Sequence, residues 1–502
     1  MNNKESADRT DLVDTGIEGF DDVLRGGLVA NRLYLIEGNP GSGKTTLALQ
    51  FLLAGAKRGE RCLFVTLSET EEELRASAES HGWTLDGIDI LEIVASDEAL
   101  QPEARYTMYH PSEVELAETT KAVVAAATRL KPARLIVDSL SELRLLAEHP
   151  LRYRREILAL KQFFARQRAT VFFIDDRTSD EGDLQLHSLA HGVVCLERVA
   201  SEYGTVRRRM EVAKLRGRSY REGYHDFTIR RGGLEIFPRL VAAEHRSPVE
   251  RATVLSGLAP LDALLGGGLV AGSSTLIIGP AGTGKSSLAT QYLIAACKRG
   301  ERACVFLFDE SEATFRERSA GLGMEVDSLI ASGHLIVRQL DPAELSPGEF
   351  AYAVRRATAE ERARVVVIDS LNGYLNAMPN ERFLVLHLHE LLTYLGQRGV
   401  TTLLLMAQHG LVGGPESPVE ASYLADTVVL LRYFEAIGEV RKAISVIKKR
   451  TGNHERTIRE LIIDGRLTIG EPIREFQGVM TGSPTLIAGH LGNRPGERPS
   501  DA

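Results

Sequence analysis

Two short stretches decide the fold of this chain: residues 38–45, GNPGSGKT, and residues 279–286, GPAGTGKS. Both match the pattern G-x-x-x-x-G-K-[ST], in which glycines let successive backbone amides converge on an anion. An apolar run precedes each stretch, and a helical pattern follows from Thr46 and from Ser287, so a helix N-terminus points at the same anion. A single match could be an ordinary glycine-rich turn. Two matches at equivalent places exclude that alternative and predict two phosphate loops.

The two phosphate loops belong to a tandem repeat. The segment that starts at Leu24, LRGGLVANRLYLIEGNPGSGKTT, aligns without a gap with the segment that starts at Leu265, LGGGLVAGSSTLIIGPAGTGKSS. Lys44 and Lys285 lie 241 positions apart (285 − 44), and the same spacing relates Glu69 to Glu310. Later landmarks keep their order with small deletions. The chain is therefore interpreted as two copies of one domain, and not as a solenoid.

Each copy alternates short apolar runs with helical stretches. The runs are LYLIE, LFVTL, RLIVD and TVFFID in the first copy and TLIIG, VFLFD, VVVID and TTLLLM in the second. Continuous apolar runs of this length suit strands that are buried on both faces, which predicts an α/β fold with mostly parallel sheets flanked by helices. We expect domains at residues 1–240 and 241–480, followed by a regulatory loop and flexible tail at 481–502.

Composition narrows the functional classes. The chain has 502 residues, of which 43% are hydrophobic, so disorder as the main state is excluded. The 60 Lys and Arg against 68 Asp and Glu give a net charge of −8, which argues against a basic surface for nucleic acid or lipid. The four cysteines form no C-x-x-C pair, and no long apolar segment is present. The sequence predicts a soluble, cytoplasmic protein with no membrane partner, and nucleic acid is disfavoured.

The phosphate loops predict the nucleotide-binding residues. The lysines would neutralise the β- and γ-phosphates of ATP, and the hydroxyl residue after each lysine would hold Mg²⁺. The ATP-binding candidates are Gly38, Gly41, Gly43, Lys44, Thr45 and Thr46 in the first copy and Gly279, Gly282, Gly284, Lys285, Ser286 and Ser287 in the second.

Acidic residues at strand ends supply the remaining candidates for nucleotide chemistry. Asp138 ends RLIVD and Asp369 ends VVVID, so each is expected to hold Mg²⁺ through a water, together with Thr45 or Ser286. Hydrolysis needs a carboxylate that orients water, and Glu69 and Glu310 follow the next strand. The alternative for all four carboxylates is that they cap the helices that follow them.

Basic residues recur late in each copy, as Lys214 and Arg216 and as Lys448 and Arg450. They would act across a subunit interface on the neighbour's γ-phosphate, or they form an ordinary solvated charged face. The i,i+4 pair of His187 and His191 has no evident third ligand, so structural roles are favoured over a metal site.

These features together resemble the KaiC family of RecA-like ATPases. The resemblance runs from about Thr15 to Ile487 and includes KLRG at 214–217, DTVVLLRYFE at 426–435 and TGSPTLI at 481–487. It implies a two-tiered homohexamer with Mg-ATP between subunits. It also implies hydrolysis chiefly in the N-terminal ring and Ser/Thr autophosphorylation in the C-terminal ring.

Some family positions are altered in this chain. The paired catalytic glutamates of the family fall at Ser68 and Glu69 and at Asp309 and Glu310, so the catalytic candidates are Glu69, Asp309 and Glu310. The adjacent Ser and Thr phosphoacceptors fall at Ser422 and Tyr423. Ser422 is thus the one expected phosphoacceptor, and an ordinary strand-entry serine is the alternative.

Three functional hypotheses follow. The first is an ATP-hydrolysing, self-phosphorylating hexamer with a signalling or clock-like role. The second is a nucleotide-switched scaffold without kinase activity, which binds a signalling partner such as a KaiB-like protein. The third is a RecA-like DNA motor, which the acidic balance and the lack of a separate basic module disfavour.

Overall fold

The computed structural model describes residues 11–93, 111–176, 184–200, 204–246, 248, 251–376, 384–408, 421–481 and 484–487. Contacts within the chain group it into two compact units, Met1–Arg239 and Leu240–Ala502. The functional division at residues 240 and 480 stays a prediction. In the predicted tail, residues 482, 483 and 488–502 lie outside the described residues.

The first unit alternates strands and helices along the chain. Its strands are β1 (Leu12–Val13), β2 (Leu28–Val29), β3 (Leu33–Gly38), β4 (Cys62–Thr66), β5 (Ile88–Glu92), β6 (Arg134–Asp138), β7 (Thr170–Asp176), β8 (Gly192–Val199), β9 (Arg207–Leu215), β10 (Tyr224–Arg230) and β11 (Gly233–Phe237). Its helices are α1 (Phe20–Val23), α2 (Lys44–Ala56), α3 (Glu71–Ser80), α4 (Pro111–Leu130), α5 (Leu140–Ala147), α6 (Pro150–Gln167) and α7 (Leu184–Leu189).

The second unit repeats this order. Its strands are β12 (Thr253–Val254), β13 (Leu269–Val270), β14 (Ser274–Gly279), β15 (Arg302–Leu307), β16 (Leu335–Gln339), β17 (Ala363–Asp369), β18 (Thr401–Ala407), β19 (Thr427–Ala436), β20 (Glu439–Lys449), β21 (Arg459–Ile463), β22 (Leu467–Pro472), β23 (Phe476–Gln477) and β24 (Thr485–Leu486). Its helices are α8 (Ala259–Leu264), α9 (Lys285–Lys298), α10 (Glu312–Gly321), α11 (Val326–Ala331), α12 (Pro347–Ala359), α13 (Leu371–Asn376) and α14 (Leu384–Gln397).

Each unit contains a nine-stranded sheet among its described residues. The orders are β11-β10-β9-β8-β3-β7-β6-β4-β5 and β22-β21-β20-β19-β14-β18-β17-β15-β16, so the two sheets have the same topology. In the first sheet the strands from β8 to β5 are parallel, and β9, β10 and β11 extend it as an antiparallel edge. The predicted α/β class with mostly parallel sheets is confirmed.

The phosphate-loop strand lies in the middle of each sheet and is buried on both faces. All six residues of β3 and of β14 are buried. Helices cover both faces and form two apolar layers per unit. The carboxyl ends of β3, β4, β6 and β7 therefore meet at one edge of the sheet, where a ligand site is expected. Among the described residues, no helix combines the length and the apolar character needed to cross a membrane.

Candidate nucleotide site

The phosphate loop of the first copy is an amide-lined turn between β3 and α2. Gly41 has φ 74° and Gly43 has φ 103°, both in the left-handed region that favours glycine. A Cβ on Gly43 would lie 2.6 Å from Cδ1 of Ile229, so a side chain there would also clash. Gly43 is the N-cap of α2 and no side chain caps that helix, which leaves its first amides available to an anion.

The second copy has the same loop. Gly282 has φ 76°, and Gly284 has φ 101° and is the N-cap of α9, again with no side-chain cap. A Cβ on Gly284 would lie 2.4 Å from Cδ1 of Ile463. Both loops thus present backbone N–H groups and the positive end of a helix dipole to one point.

The loop lysines are buried and hydrogen-bonded to their own loops. Nζ of Lys44 donates to the carbonyl oxygens of Gly38 at 2.8 Å and Asn39 at 3.1 Å, and it lies 2.7 Å from Oδ1 of Asp176. Nζ of Lys285 donates to the equivalent carbonyl oxygens at 2.8 Å, but Ala407 occupies the position of Asp176 in the sheet. Burial lowers the pKa of Lys285, while Asp369 and Asp309 oppose that shift.

A hydroxyl and a buried carboxylate meet beside each lysine. Oγ1 of Thr45 donates to Oδ2 of Asp138 at 3.0 Å, which joins α2 to the end of β6. Burial raises the pKa of Asp138 to about 7, with Glu69 and Asp176 adding to the rise and the Thr45 hydrogen bond opposing it. Burial likewise raises the pKa of Asp369 to about 6 against its hydrogen bond from Ser286.

This donor set fits Mg²⁺ and a triphosphate. Hydroxyl and carboxylate oxygens are the ligands that Mg²⁺ prefers, and they lie beside a lysine and a run of uncapped amides. Burial and nearby negative charges favour protonation of Asp138 and Asp369. A bound cation would instead stabilise the charged forms of these carboxylates. Thr45 and Ser286 would hold the ion directly, and Asp138 and Asp369 would hold it through water.

The candidate catalytic glutamates stand in different surroundings. Thr70 caps α3 and Ser311 caps α10, so neither Glu69 nor Glu310 has the capping role that sequence reasoning left open. The carboxylate of Glu69 has no hydrogen bond or ion pair within the described part of the chain. Burial raises its pKa, and Glu73 and Asp176 add to the rise.

In the second copy the equivalent glutamate, Glu310, forms an ion pair with Arg318. Nη2 of Arg318 lies 2.7 Å from Oε1 of Glu310, and Nε lies 3.3 Å from Oε2. The hydroxyl of Ser370 donates to Asp309. Glu310 and Arg318 line a cavity of about 490 Å³ with Lys285, Ser286 and Ser287, so the pair faces the phosphate loop.

The late basic residues lie far from the phosphate loop of their own copy. The sheet register places Lys214 level with Leu35 of β3, and Arg216 two residues farther along, level with the start of β3. Because a strand rises ~3.3 Å per residue, Lys214 and Arg216 lie about 10 and 16 Å, measured along β3, from Gly38 at the start of the loop. In the second copy Lys448 and Arg450 occupy the equivalent end of the sheet.

The structure brings Ser422 next to the basic element of the second copy. Ser422 is exposed in the single 3₁₀ turn Ala421–Tyr423. Nζ of Lys448 donates to the carbonyl oxygen of Ser422 at 2.8 Å, and Nη2 of Arg450 donates to that of Tyr423 at 2.7 Å. Lys214 donates in the same way to the carbonyl of His187, so His187 is the first-copy counterpart of Ser422.

The two histidines that sequence analysis considered as metal ligands have other partners. Nε2 of His187 lies 2.9 Å from Oε2 of Glu37, and His191 packs edge-on against Tyr34. Across the described ranges no cluster of three or more His, Cys, Asp or Glu could hold a metal ion. The structural interpretation of this pair therefore agrees with its surroundings.

The sequence matches a family model described as "ATPase: KaiC" over residues 13–241 and again over residues 254–470. The chain belongs to the KaiC family. Among its relatives are the "Circadian clock oscillator protein KaiC" of Parathermosynechococcus lividus, 30% identical over 94% of this chain and 88% of the relative, and the "Circadian clock protein KaiC3" of Synechocystis sp., 28% identical over 96% of each. The "Circadian clock oscillator protein KaiC" of Synechococcus elongatus is 29% identical over 94% of this chain and 92% of the relative.

Sequence reasoning missed two residues at the nucleotide sites of this KaiC-family chain. Asp176 contacts Lys44 in the first copy, and Arg318 contacts Glu310 in the second. Neither contact has an equivalent in the other copy. The sequence repeat already indicated both differences, because Ala407 stands at the position of Asp176 in the second copy and Ser77 at the position of Arg318 in the first. A position-by-position comparison of the copies would have singled out both differences.

Proposed function

We propose that this KaiC-family chain binds Mg-ATP in both copies, assembles into a ring that is a hexamer, hydrolyses ATP and transfers a phosphoryl group to its own Ser422. The observation that carries the proposal is the pairing of two complete phosphate loops with two basic elements at the opposite end of the same sheets. Each nucleotide site is then completed by the next subunit.

The first copy offers a chemical route for hydrolysis. Lys44 and the loop amides would bind the β- and γ-phosphates, and Glu69 would take a proton from a water aligned with the γ-phosphorus. The oxygen–phosphorus bond forms from that water while the bond to the ADP oxygen breaks. Bound Mg²⁺ supplies charge neutralisation on the phosphate oxygens. Its raised pKa makes Glu69 a stronger proton acceptor than an ordinary glutamate.

Three cations without an acid partner in the described part of the chain support contact with a neighbour's phosphates. Arg32, Lys161 and Arg216 line a cavity of about 260 Å³ at the far end of the first sheet, together with His191, whose imidazole is neutral near pH 7. Burial lowers the pKa of Lys161, with Arg216 adding to the shift, and it lowers that of His191 to about 4, with Arg32 and Arg216 adding. Neither arginine nor Lys161 forms an ion pair with any described acid. Like charges held together without an acid are stabilised by an anion, which a neighbouring nucleotide would supply.

The second copy is less basic at this place. Asp426 occupies the position of His191 and lies 3.4 Å from Nη1 of Arg450, while Ser273 and Leu392 replace Arg32 and Lys161. The two proposed interfaces therefore differ in charge. Assembly through the first-copy interface would depend more strongly on bound ATP than assembly through the second-copy interface.

Assembly should depend on ATP and on Arg450. With saturating Mg-ATP we expect light scattering to give a mass of about six chains, because a ligand shared between subunits favours the assembled state. Removing one charge-assisted contact, about 1.5–3 kcal/mol, should raise the concentration for half-assembly of Arg450→Ala at least about tenfold. Arg466→Ala, an exposed arginine in the same unit, is the matched control and should assemble normally. A monomer at micromolar concentration with saturating ATP would contradict the proposal.

Ser422 is proposed as the phosphoacceptor of the second copy. Glu310 would take the Ser422 proton as Oγ attacks the neighbour's γ-phosphorus, and the bond to the ADP oxygen would break. Lys448 and Arg450 donate to carbonyl oxygens of the turn that carries Ser422, so the position of the Ser422 hydroxyl is tied to that of the basic element. Tyr423 places its oxygen several ångströms farther out and is expected to stay unmodified.

Phosphopeptide mapping tests the kinase step. After incubation with Mg-ATP, phosphate on Ser422 should appear, vanish in Ser422→Ala and in Lys285→Ala, and persist in Tyr423→Phe. It should also largely persist in Lys44→Ala where the ring still assembles. An unmodified Ser422 in assembled, ATP-loaded protein would favour the nucleotide-switched scaffold, whose partner would be a KaiB-like or other signalling protein. Tight, steeply salt-dependent binding to single-stranded DNA would instead revive the motor hypothesis.

The names of the relatives extend the proposal to a clock-like role. Those proteins are named as circadian clock proteins. We propose a signalling or clock-like regulator, and the nucleotide chemistry above is its testable part.

A further inference from the structure

Arg318 and Glu310 form a two-point ion pair inside the cavity of the second nucleotide site. Both carboxylate oxygens of Glu310 accept from Arg318, at 2.7 and 3.3 Å. The two side chains are only 24% and 19% exposed, so water screens the pair weakly. The guanidinium also lies over the ring of Phe315, with its central carbon 5.4 Å from the ring centroid. The guanidinium is therefore held by two contacts, one with the carboxylate and one with the ring.

The first copy lacks this pair although its helix is built in the same way. Arg75 pairs with Glu71 at 2.6 Å in α3, and Arg316 pairs with Glu312 at 2.5 Å in α10, so the two helices keep the same register. In that register Ser77 stands where the second copy has Arg318. The two helices also differ at other positions, among them Leu74 and its counterpart Phe315, but the residue that meets the glutamate is Ser77 in the first copy and Arg318 in the second.

A carboxylate acts as a base through a free oxygen lone pair directed at the proton it takes. The guanidinium occupies one lone pair on each oxygen of Glu310. A proton taken from water neutralises the carboxylate and so weakens its charge-assisted hydrogen bonds to Arg318, which adds a cost to the transfer. Glu69 has no such contact in the described part of the chain and faces no such cost. The two copies therefore differ in how readily the candidate base can act.

We propose that Arg318 is a positioning residue that restrains Glu310 and slows hydrolysis in the second copy. This inference rests on the proposed function, in which the two glutamates are the bases. Replacing Arg318 would leave ATP binding nearly unchanged, because Lys285, Ser286 and the loop amides supply the phosphate contacts. Because Glu310 is also the proposed base for Ser422, a restraint of this kind slows both hydrolysis and the transfer to the serine.

The test uses the full chain with first-copy hydrolysis silenced by Glu69→Gln. In that background Arg318→Ser, which installs the residue of the first copy, should raise kcat for phosphate release about tenfold, the equivalent of one charge-assisted hydrogen bond. KM for ATP should change less than about twofold, since the binding contacts remain. Arg318→Lys, which keeps the charge but offers no planar two-point contact, should give an intermediate kcat.

A reciprocal change tests the same idea in the first copy. In a Glu310→Gln background, Ser77→Arg should lower kcat about tenfold with little change in KM, because it installs the same ion pair on Glu69. Ser77→Ala is the matched control and should hydrolyse ATP as its parent does. A loss of packing alone would lower both activity and thermal stability, whereas Arg318→Ser is expected to raise activity.

The outcomes separate this inference from the function on which it rests. If Arg318→Ser leaves kcat unchanged or lowers it while Glu69→Gln and Glu310→Gln each reduce hydrolysis, the restraint is wrong and the proposed bases stand. If neither glutamine variant reduces hydrolysis, the assignment of the bases fails, and the restraint fails with it.

Discussion

Lys44→Ala should remove nucleotide binding from the first copy, and Lys285→Ala should remove it from the second. Each lysine is buried beside its loop and is the one loop side chain that brings a positive charge to the β- and γ-phosphates. A charge-assisted contact contributes about 1.5–3 kcal/mol, and a lysine makes more than one with a triphosphate. The Kd of the affected class of site should therefore rise by about 100-fold or more.

Equilibrium binding with a fluorescent ATP analogue would count the two classes of site. Each single variant should lose half of the sites, and the double variant should lose nearly all of them. Lys57→Ala and Lys298→Ala are matched controls, because they remove exposed lysines from the C-terminal ends of the same two helices. Binding by the double variant equal to that of the unchanged chain would refute both sites.

The contacts of the two lysines differ between the copies. Lys44 is already paired with Asp176, whereas Lys285 forms no ion pair with any described acid. Lys44→Ala therefore removes the ammonium group beside Asp176, so thermal unfolding without nucleotide must accompany the binding measurement. A normal melting temperature together with lost binding identifies the phosphate contact as the cause.

Glu69→Gln should reduce total ATP hydrolysis far more than Glu310→Gln does. A positioned general base contributes roughly 10²–10⁴-fold, and a glutamine keeps the shape of the side chain but cannot take the proton. Glu69 suits this role because its carboxylate has no ion pair among the described residues and its pKa is raised. Glu310 is engaged at both oxygens by Arg318, so we expect the second copy to contribute less to the total before any substitution.

Steady-state phosphate release, measured with a check that ATP binding is unchanged, decides this prediction. Glu72→Gln is the matched control, since it removes an exposed carboxylate from the first turn of the same helix. A larger loss in Glu310→Gln than in Glu69→Gln would assign hydrolysis to the second copy. That result would also contradict the proposed restraint by Arg318.

The sequence alone determined the fold class, the repeat and the phosphate loops. These features depend on local patterns: glycines where the backbone needs positive φ, apolar runs for buried parallel strands, and a lysine with a hydroxyl residue at the start of a helix. The spacing of 241 between the copies then located Glu69 and Glu310. Local chemistry of this kind can be read without knowing which strands are neighbours.

Only the tertiary structure decided what surrounds those residues. The contact of Lys44 with Asp176 depends on the pairing of β3 with β7, which brings together residues more than 130 positions apart. The sheet order likewise places Lys214 and Arg216 at the end opposite the loop. Arg318 is only eight residues from Glu310, yet its reach across the cavity depends on the strand-to-helix turn and on the direction of its side chain. Such contacts follow from sheet order and rotamer, which a single sequence does not specify.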